Sequence, residues 1–305
     1  MSKHFLEIKS ISQLHELLGY EKPKHPLVTI IDYSKLKLNK EHFDIKILTN
    51  FYIISLKDPA PKSVQYGRHY YDFAEGTLMF ISPSQVFSIS EFDKHEKTSY
   101  QGWGVYFHTD LIANSSLYDK MQDFTFFSYA VSEALHVSED EKQTLNNLVD
   151  AIKKEYQSGI DNYSKDVIIT GIEQLLNYSK RFYSRQFITR QKQNSDVVTK
   201  FEKLLKQYFK IDKLEEEGIP NVDYFSSNLN LSSSYLSDLL KKETGKTIKD
   251  YIQFEILELA KHRLLNSNQT VNEIAYSLGF DYPQYFNRLF KSKIGMTPVE
   301  YRLLN

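Results

Sequence analysis

The 305-residue sequence has no cysteine, which excludes disulfides, thiolate metal sites and a cysteine nucleophile, and gives no sign of an oxidising compartment. It has no run of about 18 apolar residues, and residues 1–10 lack the uninterrupted hydrophobic stretch of a leader peptide. Both absences predict a cytoplasmic protein with no membrane partner. Neither charge is in excess, with 38 Lys and Arg against 39 Asp and Glu and a net charge of -1. The whole molecule therefore has no field that would attract nucleic acid, and binding of that kind requires a local basic face. Glycine-rich phosphate loops, nucleophile elbows and carboxylates paired by spacing are also missing, so the expectation is no enzyme, no catalytic residues and no cofactor. None of the nine histidines forms a His-x-His pair with a following carboxylate, so no metal is expected. His69, His95 and His108 read as structural or solvent-facing, with His108 bonding at a strand end.

What is present is globular: 41% hydrophobic, 14% aromatic and 25% charged residues, enough for about two domains at roughly 100–200 residues each. Residues 28–32, 51–55, 76–81 and 105–107 are rich in β-branched and aromatic side chains and bounded by turn formers, predicting an antiparallel sandwich or barrel. Helical periodicity follows. Leu145, Leu148, Val149, Ile152 and Tyr156 make one stripe behind the capping box Ser138 to Glu141. Ile168, Ile172, Leu175, Leu176, Phe182 and Tyr183 make a second. Such helices either cover the β-core or supply a dimer seam. Polar residues 189–195 read as a linker, dividing the chain into domains 1–190 and 191–305. Beyond it, residues 197–209 predict a helix closed by the acidic turn 215–218, and residues 251–265 a longer one.

The helical half contains a duplication. Tyr235, Leu236, Leu239, Leu240, Lys241, Gly245, Thr247 and Tyr251 recur fifty positions later as Tyr285, Phe286, Leu289, Phe290, Lys291, Gly295, Thr297 and Tyr301. Upstream the offset is forty-nine, pairing Ser226, Leu229, Leu231 and Ser232 with Ala275, Leu278, Phe280 and Asp281. In the second copy Thr270 to Glu273 is a capping box, Ala275 is small enough for a close helix crossing, and Gly279 permits a turn with positive φ. Pro283 opens the next helix, and Gly295 ends it. Each copy is thus a helix-turn-helix. The second helices keep apolar residues inward and show Ser233, Ser234, Ser237, Asp238 and Lys241 in one copy, and Gln284, Asn287, Arg288 and Lys291 in the other. Gln and Asn suit adenine, Arg guanine and Lys phosphate. Basic residues cluster at Lys241, Lys242, Lys246 and Lys249 and at Arg288, Lys291 and Lys293.

At residues 273–280, 285–291, Gly295 and 297–302 the sequence resembles the DNA-binding domain of the AraC/XylS family of bacterial transcription regulators, and residues 236–241, Gly245, Tyr251, Ile252, Leu257, Ala260, Leu264 and Leu265 resemble that family's first motif and linking helix. The resemblance implies that both second helices enter major grooves on one face of the duplex, about one turn apart. Residues 72–83 and 102–111 resemble the family's cupin-type effector domain. The implied fold is α+β: an N-terminal cupin-like antiparallel β-barrel with two following helices, then an all-α domain with two helix-turn-helix motifs joined by a long helix. The implied partners are promoter DNA, a small-molecule effector, RNA polymerase and a second copy of the chain. Asp238 stands where the family frequently has arginine, and Ile256 replaces an arginine common in the linking helix. The second motif is therefore expected to carry more of the affinity. Tyr282 is an unusual N-cap, and its ring is expected to meet a thymine methyl or a sugar. Tyr66, His69 and Tyr71 are the candidates for an effector pocket, with ordinary core as the alternative. Two competing readings are a metal-free cupin-type enzyme or sugar-binding module with a helical protein-interaction tail, and a constitutive DNA-binding dimer without effector.

Overall fold

The computed structural model describes residues 5–36, 46–58, 76–88, 101–130, 133–210 and 213–303. The chain divides into two compact units, Met1–Arg190 and Gln191–Asn305.

The first unit is built in the order β1 (Phe5–Ile8), α1 (Ile11–Leu17), β2 (Val28–Asp32), β3 (Lys46–Thr49), β4 (Phe51–Asp58), β5 (Gly76–Ile81), β6 (Val86–Ser88), β7 (Gln101–His108), α2 (Thr109–Ile112), α3 (Ser116–Lys120), β8 (Leu135–Val137), α4 (Glu139–Ser158) and α5 (Ser164–Thr189). A five-stranded sheet runs β2-β7-β4-β5-β8, and a three-stranded one β1-β3-β6. The first is antiparallel throughout, with Asp32, Trp103 and Leu56 in register across β2, β7 and β4. The second departs from the antiparallel expectation, because β1 pairs with β3 in parallel.

Side chains alternate across a strand, so β2 and β4 bury residues on both faces of the large sheet. Ile31, Tyr33, Phe51 and Ile53 join Ile8, Ile11, Leu14 and Ile47 in one cluster. Residues of opposite parity, among them Ile30, Ile54, Leu56 and Val105, are buried too. Helices α4 and α5 lie against the sheet: Trp103 Nε1 donates to Asn146 Oδ1 at 2.8 Å, and the amide of His136 donates to Gln186 Oε1 at 2.8 Å. The expected α4 capping box is present, joining Ser138 and Glu141. A buried hydroxyl pair, Tyr33 and Ser55 at 2.7 Å, ties the turn after β2 to β4, and burial pushes the Tyr33 phenol up.

The second unit is helical: α6 (Gln191–Lys210), α7 (Lys213–Glu217), α8 (Val222–Leu229), α9 (Ser233–Thr244), α10 (Ile248–Asn266), α11 (Val271–Ser277), α12 (Pro283–Ile294) and α13 (Pro298–Arg302). Two sequence expectations are corrected here. Residues 189–195 are no loop: α5 ends at Thr189 and α6 begins at Gln191, since the segment has no Gly or Pro and Gln, Lys and Arg are good helix formers. The acidic turn is mostly α7, docked by buried Leu214 and braced by a Lys213–Glu217 ion pair at 3.0 Å.

One apolar cluster runs through the whole unit, from Phe201 and Leu205 through Leu236, Leu240, Ile252, Ile256, Leu257, Ala260 and Leu264 to Ile274, Leu278, Phe286 and Phe290. Helix α10 packs on α6, α9, α11 and α13. Its 19 residues span roughly 28 Å. Its far end is tied by Arg263 to the Ser277 hydroxyl and by Arg302, which donates to the carbonyls of Leu264 at 3.2 Å and Gln269 at 2.6 Å.

The two turns solve one problem with different residues. Asn230 is left-handed at φ 55 after α8, and Gly279 takes φ 82 after α11. Asn tolerates this region through local hydrogen bonding, whereas glycine has no Cβ to clash. A Cβ on Gly279 would lie 3.0 Å from the Ile219 nitrogen and 3.0 Å from the Leu214 carbonyl oxygen. Gly279→Val is therefore expected to destabilise the second motif by on the order of 3 kcal/mol, from backbone strain and crowding together. Hydrogen-exchange mass spectrometry on the full chain should show lost protection in α11 and α12 with α4 and α5 unchanged. Unaltered protection at α11 would contradict this account.

Candidate nucleic-acid interface

Helix α12 has a pinned back and an open front. Phe286 and Phe290 are fully buried, with ring centroids 5.7 Å apart, and Phe290 also meets Tyr301 at 5.4 Å. Pro283 sets the first helical residue, and Gly295 closes the helix in the left-handed region. Gln284, Asn287, Arg288 and Lys291 fall at i, i+3, i+4 and i+7, one stripe of the helix. Gln284, Arg288 and Lys291 are exposed, and Asn287 is half-buried. Among the described residues none of these four side chains has a hydrogen-bond partner. Tyr282 is the N-cap residue, makes no side-chain capping bond and is 58% exposed.

Sequence reasoning did not single out Tyr285 as a site residue. It is 51% exposed, and the Arg288 Cζ lies 5.4 Å from its ring centroid. The Tyr282 ring meets it edge-on at 5.9 Å and 82°. The i, i+3 spacing of Tyr285 and Arg288 was the available signal.

In α9, Ser234, Ser237, Asp238 and Lys241 occupy the corresponding stripe, fifty positions earlier. The chemistry differs. Ser233 Oγ donates to Asp223 Oδ1 at 2.6 Å and lies 2.9 Å from Ser226 Oγ. Ser237 Oγ donates back to the Ser233 carbonyl at 2.7 Å. Ser233, Ser234, Ser237 and Asp238 are half-buried, leaving Lys241 as the exposed member of the set. Hydroxyls bonded within the helix pair have less left to offer an outside partner, while α12 keeps amide and guanidinium donors uncommitted.

Cations border both helices. Lys241, Lys242, Lys246 and Lys249 are exposed at the end of α9 and start of α10, and Lys291 and Lys293 at the end of α12. Lys246 sits 5.5 Å over the Tyr251 ring, and Lys293 is 4.0 Å from Asp250. Capping boxes start α10, α11 and α13, pairing Thr247 with Asp250, Thr270 with Glu273 and Thr297 with Glu300. Hydrogen bonds from the backbone and hydroxyl of the capping threonines hold Glu273 and Glu300 below the usual carboxylate range, and the Thr247 hydroxyl and amide do the same for Asp250.

In the first unit, Tyr66, His69, Tyr71 and His95 lie outside the described residues. His108 does bond at a strand end, accepting from the Asp110 amide at 3.2 Å. Among the described residues there is no group of three His, Asp or Glu placed to hold a metal, and no helix is long and apolar enough to cross a membrane. A cavity of about 440 Å³ opens between the sheet and α4, lined by Asp32, Asp58, Trp103, Lys142, Asn146 and Lys153 among others.

Residues 225–303, which include both turns and both stripes, match the helix-turn-helix domain family. The chain is 37% identical over 84 residues to the xylose operon regulatory protein of Escherichia coli, a match covering 28% of this chain and 21% of that protein. It is 32% identical over 112 residues to YobQ, an uncharacterized HTH-type transcriptional regulator of Bacillus subtilis, covering 32% of this chain and 46% of the other. The alignments thus span about a fifth to a half of these relatives. Among solved structures, the C-terminal domain of the two-component response regulator yesN from Fusobacterium nucleatum superposes with a TM-score of 0.31 at 29% identity, covering 35% of this chain and 98% of that one.

The three capping carboxylates give the helical unit a defined pH dependence. Their folded pKa values lie below the unfolded ones, so the stability they contribute is present above the ordinary carboxylate range and lost as pH falls through and beneath it. Between about pH 6 and 3 the second unit should lose thermal stability. Glu273→Gln with Glu300→Gln, which retains a capping acceptor, should flatten that slope. Identical slopes for the two proteins would contradict the assignment.

Proposed function

We propose that this chain, whose C-terminal unit carries a helix-turn-helix domain of the AraC type, is a sequence-specific DNA-binding transcription regulator. The observation that carries the reading is the uncommitted polar stripe of α12, held outward by a fully buried aromatic back. Major-groove recognition needs such a helix edge, with donors and acceptors free to meet base edges. In this reading Gln284, Asn287 and Arg288 read bases, Tyr282 touches a sugar or thymine methyl, and Lys241 and Lys291 meet phosphates. Ser233, Ser234, Ser237 and Asp238 present the weaker reading surface, and α10 sets both helices on one face of the duplex about one turn apart. A protein-docking tail is the competing reading, and exposed Tyr282, Tyr285 and Arg288 are side chains such a surface also uses; the amides of Gln284 and Asn287 beside them are what favour base edges.

Residues 1–190 are read as the effector and dimerisation domain, of cupin-like type, and residues 191–305 as the DNA-binding domain. This assignment of residues 1–190 follows the resemblance of residues 72–83 and 102–111 to the family's effector domain. Ligand binding there would act by favouring one arrangement of the two domains or of two subunits.

The roles separate in binding assays. Arg288→Ala should cost about 1–3 kcal/mol on a preferred duplex and relax discrimination at one base pair, whereas Lys291→Ala should weaken binding to every duplex alike. Equal losses for Arg288→Ala on preferred and random duplexes would overturn the assignment.

A further inference from the structure

Resting on that reading of α12, we infer that Tyr285 is a positioning residue for Arg288, fixing the guanidinium so that its donors face the base edge in one orientation. An arginine on an exposed helix face samples many rotamers, and ordering it on binding opposes affinity. A flat aromatic beneath the guanidinium removes much of that cost beforehand while leaving the outward N–H donors free. The geometry fits: the Arg288 Cζ is 5.4 Å from the Tyr285 centroid, inside the range where ring and cation attract. Tyr282 meets the Tyr285 ring edge-on, so three exposed side chains form one contact cluster at the leading end of α12.

The duplication supplies an internal comparison. Tyr235 occupies the equivalent place in α9 but is 5% exposed, part of the core, and the arginine position beside it is Asp238. The outward tyrosine and the arginine occur together in one copy and are both absent from the other. Tyr285 is therefore assigned to recognition.

The test uses the full chain and a duplex selected by the wild-type protein from a random-sequence pool, with its single-base-pair variants and a random duplex as competitors. Tyr285→Leu should weaken binding to the selected duplex about 2- to 5-fold and blur discrimination at the same base pair that Arg288→Ala blurs, with random-duplex binding and helix content unchanged. Tyr285→Phe should restore wild-type behaviour, because the ring and not the hydroxyl does the positioning. In an Arg288→Ala background, Tyr285→Leu should add no further loss. An equal further loss in that background, or no effect of Tyr285→Leu in the wild type, overturns the inference alone. If Arg288→Ala itself leaves specificity intact, the reading of α12 beneath it falls as well.

Discussion

The C-terminal unit depends on one constraint: α10 must bury its apolar face against both helix-turn-helix motifs at once. Ile252, Ile256, Leu257, Ala260 and Leu264 belong to the same cluster as Leu236 and Leu240 of α9 and Phe286 and Phe290 of α12. A single close-packed core resists continuous deformation, so the two polar stripes keep a fixed separation and phase. Two independent small modules would have to be ordered upon binding. Here that ordering is done by folding.

Helices α9 and α12 share one core and differ in surface chemistry. In α9 the hydroxyls of Ser233 and Ser237 are engaged within the protein. In α12 the amide and guanidinium groups point outward, with Arg288 over a tyrosine ring. Lysines flank both helices, so a chain with net charge -1 still offers locally basic edges, the arrangement that steers a polyanion toward a chosen face.

Much of this was legible in the sequence because its signals are local. A Thr with Asp or Glu three residues on, Pro283 at a first turn, and glycines at 279 and 295 each fix a few backbone angles without distant partners. The duplication then turned single hints into a pattern. What stayed hidden depends on tertiary contact. Strands β1, β3, β6 and β8 have three or four residues each and exist through their neighbours. Helix α7 depends on one buried leucine in an acidic stretch, and residues 189–195, polar enough to read as a linker, are helical almost throughout. Tyr235 and Tyr285, identical residues at equivalent positions, have opposite fates, one buried and one half exposed, which the repeat alone does not distinguish. The surface of the stripe was readable because period and chemistry coincide along α12; its commitment to internal bonds in α9 was not.

If one rigid unit presents two helix edges to one face of a duplex, methylation protection of guanines in a duplex selected by the full chain should show two clusters of major-groove protection, centred about one helical turn apart on the same face, with the stronger cluster under α12. A single cluster, two clusters on opposite faces, or no enrichment of any sequence over random competitor would contradict it.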